Sequence, residues 1–112
     1  MSDCLFCKII HGEIPTTKVY EDDQCLAFLD IAPLAPTHFL VVPKQHFASA
    51  AEATEENAAV IGHIYAVIAK IAKEQGFADG YRVVPNVGAL AGQTVHHSHF
   101  HVLSGKQLGS FN

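Results

Sequence analysis

The stretch Val95-His96-His97-Ser98-His99-Phe100-His101-Val102-Leu103 decides how this chain reads. Four of the eight histidines fall within six residues, and His97, His99 and His101 alternate with Ser98 and Phe100. Alternate side chains of a strand share a face, so the spacing predicts three imidazoles in a row on one side of a strand over residues 94–103. Imidazole changes charge near neutrality and can act as nucleophile, proton carrier or metal ligand. Strand residues two apart are separated by roughly 6.6 Å, and those four apart by about 13 Å. A zinc ion holds its nitrogens at about 2.0–2.1 Å. On a straight strand His97 and His101 cannot share one ion, so divided roles fit better than a three-histidine metal site. A histidine-rich exposed strand, or an incidental metal-binding patch, is the plainer alternative.

Working outward, the chain shows no repeat, low-complexity tract or interdomain linker. Asp3 is placed to cap a short helix over residues 4–10, stopped near Gly12 and Pro15. Residues 17–20 and 25–29 read as strands joined by the acidic turn Glu21-Asp22-Asp23, and residues 37–42 as a third strand between Pro36 and Pro43. Thr54 opens the one long helix, with Glu55 and Glu56 in its first turn. Ile61, Ile64, Ile68 and Ile71 give that helix one apolar stripe, and Gly76 sits where a helix commonly ends. Residues 81–84 make a fourth strand. The loop Pro85-Asn86-Val87-Gly88-Ala89-Leu90-Ala91-Gly92 then leads straight into the histidines. Strands gathered around one long helix predict an α+β domain with an antiparallel sheet.

At 112 residues the chain is a single domain, residues 1–112. Apolar residues make up 49% and charged residues 16%, which is apolar-rich for a domain that buries only about 60–65% of its unfolded surface. Part of the surplus is expected to cover a second subunit. The formal charge of −4 argues against a nucleic-acid binder, because no basic stripe is present to neutralise phosphates. No apolar run reaches the ~18–20 residues of a membrane span. Met1-Ser2-Asp3-Cys4 has neither a basic nor an apolar leader region, so a cytoplasmic location is expected. Three cysteines fit a reducing compartment better than a disulfide framework.

Cys4-Leu5-Phe6-Cys7 could be a redox pair, but such pairs follow a strand in a βαβ unit and this one begins the chain. It could also supply half of a tetrahedral metal site, or simply two buried thiols. Cys25 lies in an apolar strand and reads as core. Gly88 and Gly92 allow a loop whose N–H groups can turn toward an anion, although Gly and Asn often signal only a turn.

Gln93-Thr94-Val95 followed by the alternating histidines resembles the signature of the histidine-triad family. Phe6-Cys7-Lys8-Ile9-Ile10, Gly12-Glu13-Ile14-Pro15, Tyr20-Glu21-Asp22, Ala27-Phe28-Leu29-Asp30-Ile31, Ala35-Pro36-Thr37-His38-Phe39-Leu40-Val41-Val42-Pro43-Lys44 and Gly80-Tyr81-Arg82 extend the resemblance over nearly the whole chain, to the branch of small histidine-triad nucleotide-binding (Hint-like) proteins. Two positions depart from the pattern. Ser98 stands where an apolar residue is usual, and His96 replaces an aromatic or apolar one.

The resemblance implies a five-stranded antiparallel sheet with one long helix and a short N-terminal helix, paired in a homodimer. It implies a hydrolase acting on purine nucleoside phosphoramidates or related nucleotidyl substrates at the α-phosphorus. The catalytic set would be His99 as nucleophile, His101 handling the phosphate, and His97. Asn86, Gln93 and Thr94 would join His99 and His101 as phosphate contacts. Phe6, Ile9, Ile14, Phe28 and Ile31 would enclose the base, with Asp30 on the ribose hydroxyls. Cys4, Cys7, His46 and His97 would hold a structural Zn²⁺. Rival readings are a dinucleoside polyphosphate hydrolase, a nucleotide-binding adaptor with little turnover, and a small zinc module whose histidines are only ligands.

Overall fold

The computed structural model describes residues 4–110. In chain order it contains α1 (Leu5–Ile10), β1 (Lys18–Glu21), β2 (Cys25–Leu29), β3 (Thr37–Pro43), α2 (Ala58–Gln75), β4 (Arg82–Val84) and β5 (Phe100–Ser104). The five strands form one sheet in the order β1-β2-β3-β5-β4, and every neighbouring pair is antiparallel. This is the α+β architecture expected from the sequence.

Both faces of the central strands are covered, which explains why β2 and β3 read as continuous apolar runs. Cys25, Ala27, Phe39, Val41, Phe100 and Val102 face α2 and pack on its Ile64, Val67, Ile68, Ile71 and Ala72. Leu26, Phe28, Leu40 and Val42 point the other way, onto Phe6 and Ile9 of α1. Because Phe100 and Val102 belong to the α2 face, strand alternation sends His101 and Leu103 to the α1 face. The six-residue α1 covers that face over β2 and β3. The face over β5 and β4 stays open, and His101 stands at its inner edge.

Besides one-residue shifts at β1, β3 and β4, three boundaries differ from expectation. The histidine strand begins at Phe100, not residue 94, so only His101 of the three is in the ladder. Continuing the β3–β5 register would bring Pro43 opposite Ser98, and Pro43 has no N–H to donate. Its carbonyl accepts a hydrogen bond from His97 Nε2 at 2.8 Å instead, and Ser98 N–H donates to Phe47 O at 2.7 Å. The long helix begins at Ala58, with Asn57 as its cap and no acidic residue in its first turn. Thr54 and Asn57 still bond reciprocally, Thr54 N–H to Asn57 Oδ1 at 2.7 Å and Asn57 N–H to Thr54 Oγ1 at 3.3 Å. Cys4 caps α1, its Sγ accepting from Cys7 N–H at 3.3 Å; Asp3, expected in that role, lies outside the described residues. Gly76 ends α2 in the left-handed region at φ +83°, as its position predicted.

Candidate functional site

His97, His99 and His101 leave the strand start in sequence but serve two adjoining clusters. His97 is fully buried, and its ring sits edge-on to that of His46 with centroids 4.7 Å apart. Its Nε2–H donates to Pro43 O, so Nδ1 carries the lone pair. That Nδ1 lies 3.4 Å from Cys4 Sγ, 3.6 Å from Cys7 Sγ and 3.0 Å from His46 Nδ1, and Cys7 Sγ lies 3.3 Å from His46 Nδ1. For Zn–S near 2.3 Å and Zn–N near 2.0–2.1 Å, the edges of a tetrahedron run roughly 3.3–3.8 Å. Three of these four edges fall in that range and the His46–His97 edge is shorter, so the two cysteines and two histidines expected from the sequence converge with the donor set of such an ion. Burial, reinforced by Cys4, pushes the Cys7 thiol up to about 11, and a bound cation would reverse that by stabilising the thiolate. Burial also lowers the basicity of His97, helped by His46 and His99, and a neutral ring is the ligating form.

The second cluster is formed by His99 and His101. His99 Nδ1 lies 2.8 Å from the carbonyl oxygen of His97. A carbonyl only accepts, so Nδ1 carries a proton, and in the neutral ring the lone pair is on Nε2. The His99 ring stands edge-on to Phe6, with centroids 5.0 Å apart, and 5.1 Å from the His101 ring. Burial, with His99 and His38 adding to it against Asp30, pulls the pKa of His101 down to about 4, so that ring is neutral at physiological pH.

All six residues expected around a nucleoside line one cleft of about 170 Å³. Phe6, Ile9 and Phe28 form its buried floor, while Ile31 stands at the rim, 99% exposed. Asp30 lies on the wall toward the histidines. Its Oδ1 accepts from Ala32 N–H at 2.8 Å, and its Oδ2 lies 3.3 Å from His38 Nε2. A second cleft, of about 350 Å³, opens on the far side of His101 between Leu34, His38, Arg82, Val84, Asn86 and Leu103. The two clefts flank the histidines, as a substrate with two ends joined at a reacting centre would need.

Gln93 and Thr94 do not line the second cleft with Asn86. The Gln93 side chain is buried and engaged at both ends: Nε2 donates to Ala48 O at 2.6 Å and Val95 O at 3.0 Å, and Oε1 accepts from Gly88 N–H at 2.8 Å. It braces the 88–92 turn, in which Gly88 and Gly92 sit at φ +81° and +92°. Thr94 lines a third depression with Cys4, Leu5, His46 and His96, on the side of the cysteine–histidine cluster.

Sequence reasoning gave no role to His38, yet the structure places its Nε2 2.9 Å from His101 Nδ1. The available signal was its position. Within residues 37–42 it occupies an inward place in an apolar strand, and it is only 4% exposed. Ser98, the departure from the apolar pattern, is buried with its N–H bonded to Phe47 O.

The fold and the paired clusters define a small α+β domain built around a histidine motif, and comparison with known proteins identifies the class. The HIT domain profile matches residues 11–108, and the chain belongs to that family. It is 52% identical over 106 residues to an uncharacterised HIT-like protein of Synechococcus elongatus, covering 95% of this chain and 93% of the relative. A histidine triad protein from Clostridium difficile superposes with a TM-score of 0.95 at 51% identity, over 100% of this chain and 98% of that one. A HIT family hydrolase from Legionella pneumophila gives 0.93 at 44% identity, over 96% of each. Among the described residues no helix is long and apolar enough to cross a membrane.

Proposed function

We propose that this protein is a nucleotidyl hydrolase that cleaves purine nucleoside phosphoramidates or related nucleotidyl compounds at the α-phosphorus. The observation that carries this reading is the His99–His97 hydrogen bond, which leaves a lone pair on His99 Nε2 beside the neutral ring of His101. In the first step His99 Nε2 bonds to phosphorus, the P–N or P–O bond to the leaving group breaks, and the leaving group takes a proton from solvent, which the attacking water of the second step gives back. In the second step water adds to phosphorus and the P–Nε2 bond breaks, which releases the nucleoside monophosphate and restores neutral His99. Two easier displacements replace one difficult one. The apolar cleft at Phe6, Ile9 and Phe28 receives the base, and the cleft beyond His101 receives the leaving group. The hydrolase name of the Legionella relative supports the reaction class.

The zinc we assign to Cys4, Cys7, His46 and His97 is structural. Its supports are the donor set and the edge lengths, and it stands apart from the phosphorus. We assign a homodimer on the open face of α2, where Ala58, Ala59, Gly62, Tyr65 and Ala66 are exposed next to one another on successive turns. A cytoplasmic location accords with the reduced cysteines.

A second reading, a dinucleoside polyphosphate hydrolase, is favoured by one feature: Arg82 lines the leaving-group cleft, where it would meet an anionic leaving group. Steady-state comparison of adenosine and guanosine phosphoramidates with dinucleoside polyphosphates tests both. Preference for the phosphoramidates supports the first reading and preference for polyphosphates the second. No turnover of either class would reject the enzyme reading.

A further inference from the structure

The loop between β2 and β3 turns back on itself so that the backbone N–H of Leu34 meets a side chain of the site. It donates to His38 Nδ1 at 3.0 Å. The turn is held by Ala32 N–H on Asp30 Oδ1 at 2.8 Å and by Asp30 N–H on His38 O at 3.1 Å. A nitrogen that accepts a hydrogen bond carries no proton, so His38 is neutral and its proton is on Nε2. The 2.9 Å contact between His38 Nε2 and His101 Nδ1 holds one proton, and it belongs to His38. His101 Nδ1 is therefore the acceptor, and the His101 proton is on Nε2. Asp30 Oδ2, at 3.3 Å, shares the His38 proton and favours the same placement.

Asp30, His38 and His101 could be taken for a metal site, since their ligand-type atoms lie within 4.8 Å of one another. The same proton placement argues against it. His38 Nε2 has no lone pair for an ion as long as Leu34 N–H occupies Nδ1.

We propose that the Leu34 amide is a tautomer lock: acting through His38, it fixes the His101 proton on Nε2, so that His101 is the hydrogen-bond donor of the site while His99 is the nucleophile. This rests on the functional reading above for what the two rings act on, but the proton placement stands on the hydrogen bonds alone. Two imidazoles in their neutral form are chemically alike. The carbonyl of His97 makes one a bare Nε2, and the Leu34 amide makes the other an Nε2–H. His38 is thus a positioning residue, since it acts through His101. The device costs the enzyme no charged group, and an Nε2–H donor is suited to a non-bridging phosphate oxygen or to the departing atom.

The test reads the protons directly. Nitrogen-15 NMR of the full chain, labelled at histidine and purified with its own metal, distinguishes protonated from bare ring nitrogens at pH 7. His38 and His101 are expected with protonated Nε2 and bare Nδ1, and His99 with the reverse. Leu34→Pro removes the amide hydrogen at an exposed position and should convert His101 to a mixture of tautomers. A His101 proton on Nδ1 in the unaltered protein, or an unchanged His101 tautomer in Leu34→Pro, would overturn the proposal. If Leu34→Pro does not fold, a second pair decides. His38→Gln retains an N–H donor toward His101, held by Asp30, whereas His38→Leu does not. Gln is expected to keep kcat within a few-fold, and Leu to lower it by about a hundredfold, with KM little changed in both. Equal losses in the two variants would show that His38 only fills space. Tautomers as expected in a protein that turns over no nucleotide would reject the functional reading and leave the lock standing.

Discussion

The carbonyl oxygen of His97 and Nδ1 of His99 are joined by a 2.8 Å hydrogen bond. His97 also turns its Nδ1 to Cys4, Cys7 and His46. One residue thus ties the cysteine–histidine cluster by its side chain and orients the His99 imidazole by its backbone. Anything that moves the His97 peptide should re-aim His99, although none of Cys4, Cys7, His46 and His97 lines either cleft beside the histidines.

The first prediction follows for zinc. Protein purified without added metal should contain one Zn²⁺ per chain by elemental analysis. Cys7→Ala should lose it and unfold at lower temperature, since a structural zinc contributes directly to folding. It should also lower kcat more than nucleotide affinity. Metal-free protein of equal stability would contradict the assignment.

Gln93 separates bracing from binding. Gln93→Ala leaves the Gly88 N–H and two half-buried carbonyls without their partner, at a cost of about 1 kcal/mol or more for the unsatisfied groups. Denaturant unfolding should show that loss, with a smaller change in KM. A large KM effect at unchanged stability would make Gln93 a phosphate ligand instead.

Asp22 ties β1, β2 and α2 together. Its Oδ2 accepts from Tyr20 at 3.0 Å and from His63 Nε2 at 2.6 Å, and its Oδ1 from the amides of Gln24 and Cys25. Burial raises its pKa, but the bonds from His63, both amides and Tyr20 outweigh that and hold the carboxyl well below the usual carboxylate range. A depressed folded-state value gives stability that is present above the unfolded value, near ~3.9, and lost as the pH falls below it. Asp22→Asn should therefore destabilise by about 2 kcal/mol at pH 7 and flatten the acid limb of a stability–pH curve. An unchanged limb would contradict this.

Assembly is tested by light scattering. The expected mass is twice the 12.1 kDa of the chain. Tyr65→Asp, on the exposed face of α2, should shift it toward the single-chain value. A single-chain mass for the unaltered protein at micromolar concentration would reject the dimer.

Much of this was legible in the residues because it is local. The β2 boundaries, the Gly76 stop and the Ile64–Ile68–Ile71 stripe each follow from spacing within a few positions. The convergence of Cys4, Cys7, His46 and His97 came from the family resemblance. What stayed hidden depends on distant partners. Nothing near residue 94 shows that Pro43 cannot extend the β3–β5 ladder, so the strand was read six residues too long at its start. His38 contacts His101 across 63 positions, and its tautomer is set by a backbone amide that no composition reveals. Gln93 reads as a phosphate contact, and its bonds to the backbone of Gly88, Ala48 and Val95 are not visible in the residue type.

The central claim is that His99 forms a covalent bond to phosphorus, and mass spectrometry of protein quenched during turnover tests it most directly. An acid-labile nucleotidyl adduct should map to His99, and His99→Asn should still bind nucleotide while losing several powers of ten in kcat. An adduct on another residue, or near-normal turnover in His99→Asn, would contradict the account.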